Sequence, residues 1–244
     1  MNPNEYEAMF RAEEKHWWYR ALHRLIFAWL GRELPDWRNK TILDAGCGTG
    51  AILKQLGNPE RNIGVDLAPE AIVFCRQRGL ANVREADISS LPFPDESFDA
   101  VICSSVLYHD WVADVPSALR ELGRVLRPDG ILILNLPAFS FLHSAHDDAV
   151  MTARRFRKGE VRSLLTNNGF KIRRLSYWTT LLFPMAAAAR VFALLKSGRD
   201  FESGSKPAAS AILGGVMTIE RGLLRLTNLP VGVALMAVAR KDGR

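Results

Sequence analysis

Cysteine is scarce in this chain. Cys47, Cys75 and Cys103 are the three present among 244 residues, an odd number without metal-ligand spacing. That excludes a disulfide scaffold or zinc finger and fits reduced thiols inside a cell. Also missing at the start is the basic segment and apolar core of a signal peptide, since Met1-Asn2-Pro3-Asn4-Glu5 opens the chain. No stretch reaches the ~18 uninterrupted apolar residues of a membrane span. A cytoplasmic protein is expected. Paired Cys/His fingers and an aromatic RNA-binding signature are absent, which argues against nucleic acid as the partner. No His/Asp/Glu spacing suggests a magnesium site, so no metal is expected. There is no internal repeat, and the only loose stretch is 197–210, rich in Gly, Ser and charge. What remains is a 48% hydrophobic chain, long enough for one large α/β domain with additions.

The most informative segment is Ile42-Leu43-Asp44-Ala45-Gly46-Cys47-Gly48-Thr49-Gly50. A short apolar run ends on an acid, three glycines follow at alternate positions, and a helix is expected from Ala51. Glycine lacks a Cβ, so this turn can take positive φ and let a ligand lie against its backbone. A second apolar run, Ile63-Gly64-Val65-Asp66, places Asp66 22 positions after Asp44. That is close to the ~20-residue spacing at which a carboxylate meets ribose hydroxyls in nucleotide-binding sheets. Arg84-Glu85-Ala86-Asp87-Ile88 sets a third acid where the next strand should end, within reach of an adenine amino group. The glycine pattern is G-x-G-x-G, not the G-x-G-x-x-G of dinucleotide binders. Negative Asp44 beside the loop would repel a pyrophosphate and attract a cation. S-adenosylmethionine, with a sulfonium, an ammonium and no phosphate, is the better match.

Four segments occur in order: ILDAGCGTG, IGVDLAPEAI, READISSLPFPDESFDAVICSSVLYH and LRELGRVLRPDGILIL. Together they resemble the core of the class I S-adenosylmethionine-dependent methyltransferases, in the group that includes quinone-biosynthesis and many small-molecule enzymes. The resemblance implies that Gly46, Gly48 and Gly50 line the methionine part. It puts Asp66 on the ribose and Asp87 with Ile88 at the adenine, with Asp44, Ala45, Cys47, Leu67, Ala86 and Ser104 among the cofactor-binding positions. Cys47 reads either as a reactive thiol or as a packed small residue. The start His16-Trp17-Trp18-Tyr19-Arg20, with His146-Asp147 and Arg154-Arg155-Phe156 later, is similar to a bacterial methyltransferase subgroup with glycan, lipid-linked or secondary-metabolite chemistry. In that subgroup a further histidine often precedes the arginine pair; here Met151, Thr152 and Ala153 stand in those places.

The expected fold is α/β: a Rossmann-like, seven-stranded, mostly parallel sheet with an antiparallel last strand, helices on both faces, and a helical insertion before the last strand. Strands are expected near 41–45, 62–66, 82–86, 98–103, 130–135, 170–177 and 231–239, with a turn at 127–130. Helices are expected over most of 5–30 and near 51–57, 69–78 and 114–126. Residues 1–38 read as an N-terminal helical lid and 39–244 as the methyltransferase domain, with 178–228 its insertion. Within the insertion, 181–195 and 211–226 are apolar helix candidates. They read as a pair packed on the core, as a homodimer interface, or as an element facing an anionic membrane or a lipid-linked substrate.

Net charge is +6, with Arg154, Arg155, Arg157, Lys158, Arg162, Lys171, Arg173 and Arg174 close together. Such a cluster suits a solvated surface, a phosphate-bearing substrate, nucleic acid or an anionic membrane. The dense N-terminal aromatics are either core packing or a lid in which Trp18 meets the sulfonium and Arg20 or Arg11 the methionine carboxylate. Three histidines are candidates for catalysis. His109 leaves the fourth strand at the cleft, and His143 and His146 follow the fifth; each could shape the pocket, face water or accept a proton. Cys103-Ser104-Ser105-Val106 lacks the Asn/Asp-Pro-Pro-aromatic run of enzymes that methylate nucleobase amines. Methyl transfer to a small-molecule, glycan or lipid-linked acceptor is expected, O-methylation before N- or C-methylation. The alternatives are a non-catalytic S-adenosylmethionine-binding protein and an RNA methyltransferase. S-adenosylhomocysteine is the expected product.

Overall fold

The computed structural model describes residues 3–195 and 207–243. It opens with α1 (Pro3–Ala12) and α2 (Trp17–Glu33). The helix expected across 5–30 is thus two, because the chain turns at 13–16. His16 leaves helical geometry there (φ −70°, ψ 134°), and its Nδ1 accepts the Trp18 N–H at 3.3 Å as the N-cap of α2. Strand and helix then alternate: β1 (Ile42–Ala45), α3 (Ala51–Leu56), β2 (Ile63–Asp66), α4 (Pro69–Gln77), β3 (Val83–Glu85), β4 (Phe98–Ser104), α5 (Val115–Val125) and β5 (Leu126–Pro137). After β5 come the short α6 (Ala145–Ala149), α7 (Lys158–Asn167), β6 (Phe170–Trp178), α8 (Phe183–Leu195), α9 (Pro207–Leu226) and β7 (Ala234–Lys241). The Gly/Ser/charge-rich stretch expected at 197–210 lies outside the described residues up to 206; Pro207 onward is helix α9.

The seven strands form one sheet in the order β3-β2-β1-β4-β5-β7-β6. The first five are mutually parallel, and β7 inserts antiparallel between β5 and β6. This is the expected Rossmann-like sheet with its reversed last strand and a helical insertion before it. Adjacent residues on each strand point to opposite faces, and both faces are apolar. Leu43, Val101 and Leu132 join the core with Phe98, Phe156 and Phe170. Their neighbours Ile42, Ile102 and Ile133 pack against Ile26, Trp178 and Met236 on the other face. Two-sided burial explains why the strands read as continuous Val/Ile/Leu runs.

Two differences from expectation have local causes. Strand β5 starts at Leu126, not at 130, and the expected turn becomes a bulge inside it. Phe98 pairs with Leu126 and Ala100 with Ile131, so the intervening residues loop out through Asp129 at φ 61°. Helix α7 was not anticipated at all; its first turn is held by Glu160, whose carboxylate accepts the Arg157 N–H at 3.3 Å.

One buried acid ties the insertion to the sheet. Glu220 of α9 is 0% exposed and accepts the N–H groups of Thr179 at 2.5 Å and Leu181 at 2.9 Å, where β6 turns toward α8. Burial pushes its carboxyl above the usual range. Replacing Glu220 by Ala removes both acceptors and is expected to cost about 1–3 kcal/mol, read as a lowered urea midpoint. An unchanged midpoint would show that the turn holds without it.

Candidate active site

The glycine turn after β1 adopts the left-handed backbone that its sequence permits, with Gly46 at φ 82°, Gly48 at 54° and Gly50 at 84°. A Cβ at Gly46 would collide with Val106, one at Gly48 would lie 2.8 Å from Met9 Cε, and one at Gly50 2.5 Å from Leu80 Cδ1. The turn therefore excludes side chains both by conformation and by space. Asp66, at the end of β2, holds it in shape. Its Oδ2 accepts the Gly48 N–H at 2.8 Å and its Oδ1 accepts the Ala68 N–H at 3.0 Å. Tyr6 of α1 donates to the same Oδ1 at 3.5 Å.

A cavity of about 290 Å³ opens over this turn at the carboxyl ends of the parallel strands. Of the positions singled out from the sequence, Trp18, Gly46, Gly48, Asp66, Leu67, Asp87, Ile88, Ser104, His109 and His146 line it. The others lie elsewhere. Asp44 and Ala45 are buried behind the turn. Cys47 faces Cys75, with sulfurs 3.8 Å apart, and is a packed residue. Gly50 packs on Leu80 and Cys75, and Ala86 spends its N–H on the Asp66 carbonyl at 2.9 Å. Arg20 faces a separate cleft, and exposed Arg11 pairs with Glu7. His143 is turned to Asp148, with Nε2 3.1 Å from Oδ1. Asp147, next to His146, is occupied by bonds that fix the loop. It accepts from Ser144 and forms a two-pronged pair with Arg155 at 3.0 and 2.9 Å.

The sequence reading missed the residues that α1 contributes. Tyr6, Met9 and Glu13 line the cavity; their 3- and 4-residue spacing puts them on one helix face, which is a signal that could have been read. Arg78, after α4, carried no such signal. Its guanidinium is 4% exposed and lies 3.0 Å from Glu13 and 2.7 Å from Glu14. Its Nε donates to the Thr49 carbonyl at 2.7 Å, and its plane covers the Phe10 ring at 4.6 Å. Thr49 donates its hydroxyl to Glu13. Arg78 thereby ties α1 to the glycine turn.

The electrostatics of the site are lopsided. Asp44 Oδ2 is buried with no hydrogen-bond partner. Burial first, then the Glu13 and Asp66 carboxylates, push its carboxyl up to about 8. Burial likewise raises Glu13 to about 7, against the Thr49 hydrogen bond and Arg78, and raises Asp66 despite its backbone donors. Three acids crowded at one turn, one of them orphaned, call for a cationic ligand. At the far end, His109 stacks on Trp111 at 3.8 Å, and burial lowers its imidazole to about 4. Its Nδ1 is buried and without a partner.

Residues 43–134 match the family described as methyltransferase domain. The chain carries a class I S-adenosylmethionine-dependent methyltransferase domain. A malonyl-[acyl-carrier protein] O-methyltransferase of Serratia marcescens is 38% identical over 108 residues, covering 43% of this chain and 42% of that protein. A Pectobacterium atrosepticum protein of the same name is 37% identical over 101 residues, or 41% of this chain and 39% of its own. The chain thus spans about two fifths of the length of these relatives. Among solved structures, a SAM-dependent methyltransferase from Archaeoglobus fulgidus superposes with TM-score 0.56 at 18% identity, covering 90% of this chain and 94% of the other. The [4+2]-cyclase SpnF superposes at 0.57 with 20% identity, covering 92% and 82%. The methyltransferase fold therefore does not by itself fix the reaction.

The family's cofactor, S-adenosylmethionine, fits what this domain presents: an orphaned buried carboxylate for positive charge and a turn on which any Cβ would clash. In the free protein the Asp44 carboxyl has its proton held above the ordinary range, so the stability this gives is full at low pH. It is lost as pH rises through about 8. Glu13 acts with the same sign up to about 7. The unliganded domain should lose at least about 1 kcal/mol between about pH 6.5 and about 8, and Asp44→Asn should remove most of that slope. Denaturant unfolding across that range checks it; parallel curves for the two proteins would contradict the assignment.

Proposed function

We propose that this chain is a methyltransferase that moves a methyl group from S-adenosylmethionine to a hydroxyl of a small-molecule, glycan or lipid-linked acceptor, releasing S-adenosylhomocysteine. The observation that carries the reading is that one cavity runs from the glycine turn to two imidazoles. Gly46 and Gly48 form its floor, with Asp66 and Asp87 beside them, and His109 and His146 stand on its wall. When bound, S-adenosylmethionine supplies a methyl group already activated on a sulfonium.

The chain's own residues have the remaining work of binding, aligning and drying the site. Asp66 receives the ribose hydroxyls, Asp87 and Ile88 flank the adenine, and Asp44 balances the positive charge from behind the turn. Trp18 lies against Trp178, ring centroids 5.7 Å apart and planes tilted by 30°, and lines the cavity. Helix α1, fastened by Arg78, serves as the lid. His109 is neutral at working pH because burial holds it at about 4. It lines the acceptor end of the cavity and is too weak a base to take the proton. That part falls to exposed His146 at the mouth, where proton exchange with water is open. The malonyl-[acyl-carrier protein] O-methyltransferases to which part of this chain is similar support oxygen as the atom methylated. The three free cysteines support a cytoplasmic setting.

The test is incubation of the purified protein with methyl-labelled S-adenosylmethionine and an extract of bacterial small molecules, glycans and lipids. Label should enter one acceptor with release of S-adenosylhomocysteine. His146→Ala should then slow turnover at least tenfold, with cofactor affinity unchanged. No S-adenosylhomocysteine above background would leave a non-catalytic cofactor-binding protein. An unchanged rate in the variant would remove His146 from proton transfer, as an acceptor carboxylate, needing no base, would do.

A further inference from the structure

Ser105 is the first residue past β4, and it lines the cavity. Its neighbour Val106 abuts Gly46, and the Val106 carbonyl accepts the His109 N–H at 3.1 Å. Ser105 thus stands between the glycine turn and the imidazole end. Its backbone is held at φ 63°, a left-handed conformation that a side chain takes only at a cost. Asn135 of β5 holds it there twice. The Asn135 carbonyl accepts the Ser105 N–H at 3.0 Å, and Asn135 Nδ2 donates to Ser105 Oγ at 2.9 Å.

The direction of that second bond is fixed from the core. An indole N–H can only donate, and Trp178 Nε1 donates to Asn135 Oδ1 at 2.9 Å. Trp178 is 0% and Asn135 2% exposed. A flipped amide would set two donors face to face out of reach of water, which is costly. Asn135 therefore presents its NH2 to Ser105, and Ser105 Oγ is the acceptor of the pair. Among the described residues nothing accepts the proton of the Ser105 hydroxyl itself. A chain of hydrogen bonds that starts on a buried tryptophan thus ends on the cavity wall, in a hydroxyl that still has its proton to give.

Trp18, Tyr19, Tyr108 and Trp111 supply aromatic wall to the same cavity, and no lysine or arginine lines it. An oxygen that receives a methyl group turns one lone pair to the incoming carbon and keeps another for a hydrogen bond. A neutral amine nitrogen has a single lone pair, so a donor placed on it competes with the methyl. We propose that Ser105 donates its hydroxyl proton to the methyl-accepting oxygen and thereby selects oxygen over nitrogen. This rests on the methyltransferase reading and adds to it the residue that decides which element is methylated. As the oxygen–carbon bond forms and the sulfur–carbon bond breaks, the acceptor hydroxyl loses its proton to His146; Ser105 keeps its own. Asn135 and Trp178 are positioning residues that act through Ser105.

The test uses phenol and aniline, two rings of one size that differ in the heteroatom, are both uncharged near neutral pH and suit aromatic walls. Calorimetry gives their affinities for the protein saturated with S-adenosylhomocysteine, and label from methyl-labelled S-adenosylmethionine is followed into anisole and N-methylaniline. Phenol should bind about fivefold more tightly than aniline, the size of one neutral hydrogen bond, and label should enter anisole alone. Ser105→Ala and Ser105→Gly should both erase the preference and cut anisole formation by a similar factor, with S-adenosylhomocysteine affinity unchanged. Glycine takes the left-handed backbone without strain, so the Gly variant should melt about 2–4 °C above the Ala variant. A merely structural serine would make activity follow stability, whereas here the more stable variant stays as poor as the other. Equal affinities in the unsubstituted protein, no binding of phenol, label in N-methylaniline, or a preference that survives loss of the hydroxyl would overturn the proposal. Absence of S-adenosylhomocysteine binding by the unsubstituted protein would instead remove the methyltransferase reading, and this proposal with it, which keeps the two failures apart.

Discussion

The turn between β1 and α3 can keep its shape because the Asp66 carboxylate takes the Gly48 N–H at 2.8 Å and the Ala68 N–H at 3.0 Å. A single side chain at the end of β2 thereby fixes a left-handed backbone at the end of β1. Everything functional is arranged around that hold. Tyr6 reaches Asp66, Met9 covers Gly48, and Glu13 takes the Thr49 hydroxyl. Arg78 closes the circuit from the helix that follows β2. Burying Asp44 and Glu13 beside Asp66 costs free energy in the unliganded protein, since unpaired buried charge is expensive. A cation at the turn would lower that cost, so affinity and selectivity for a positively charged nucleoside have the same source.

How much of this was legible beforehand depended on how local the signal was. Gly46, Gly48 and Gly50 announce their turn because glycine takes left-handed φ most readily and a Cβ at any of the three would crowd a neighbour, and Asp66 announces itself by spacing. The β-strands were visible because both faces of a parallel sheet are buried, which makes Ile42-Leu43 and Val101-Ile102 equally apolar. The break at His16 was not visible, because an imidazole is an uncommon N-cap and the apolar period runs on either side of it. The bulge at Asp129 looked like a turn because its composition is that of a turn; the pairing of Leu126 with Phe98 is a tertiary fact. Arg78 is one of many arginines until the fold brings it under α1. His143 and His146 are three residues apart, one before α6 and one in its first turn, yet only His146 lines the cavity, while His143 is turned to Asp148.

Helices outside the alternating strand–helix pattern of the sheet divide the surface between two kinds of chemistry. Helices α1 and α2 meet the cavity over the glycine turn on one side, through Tyr6, Trp18 and Leu22, and a basic cleft on the other, through Trp17, Arg20 and Arg24. Adjacent tryptophans thus face different cavities. Helix α9 divides its surface in the same way among the buried Glu220 anchor, the wall of that cleft at Thr218 and Arg221, and the exposed Ile212, Ile219, Leu223 and Leu226. No helix among the described residues is long and apolar enough to cross a membrane.

Calorimetric titration of the purified chain with S-adenosylmethionine, S-adenosylhomocysteine and NADH, side by side, tests the central claim most directly. Three carboxylates around a side-chain-free turn should give saturable binding of both sulfur nucleosides and no heat with the dinucleotide. Tight uptake of NADH with silence from the sulfur compounds would contradict the account at its root.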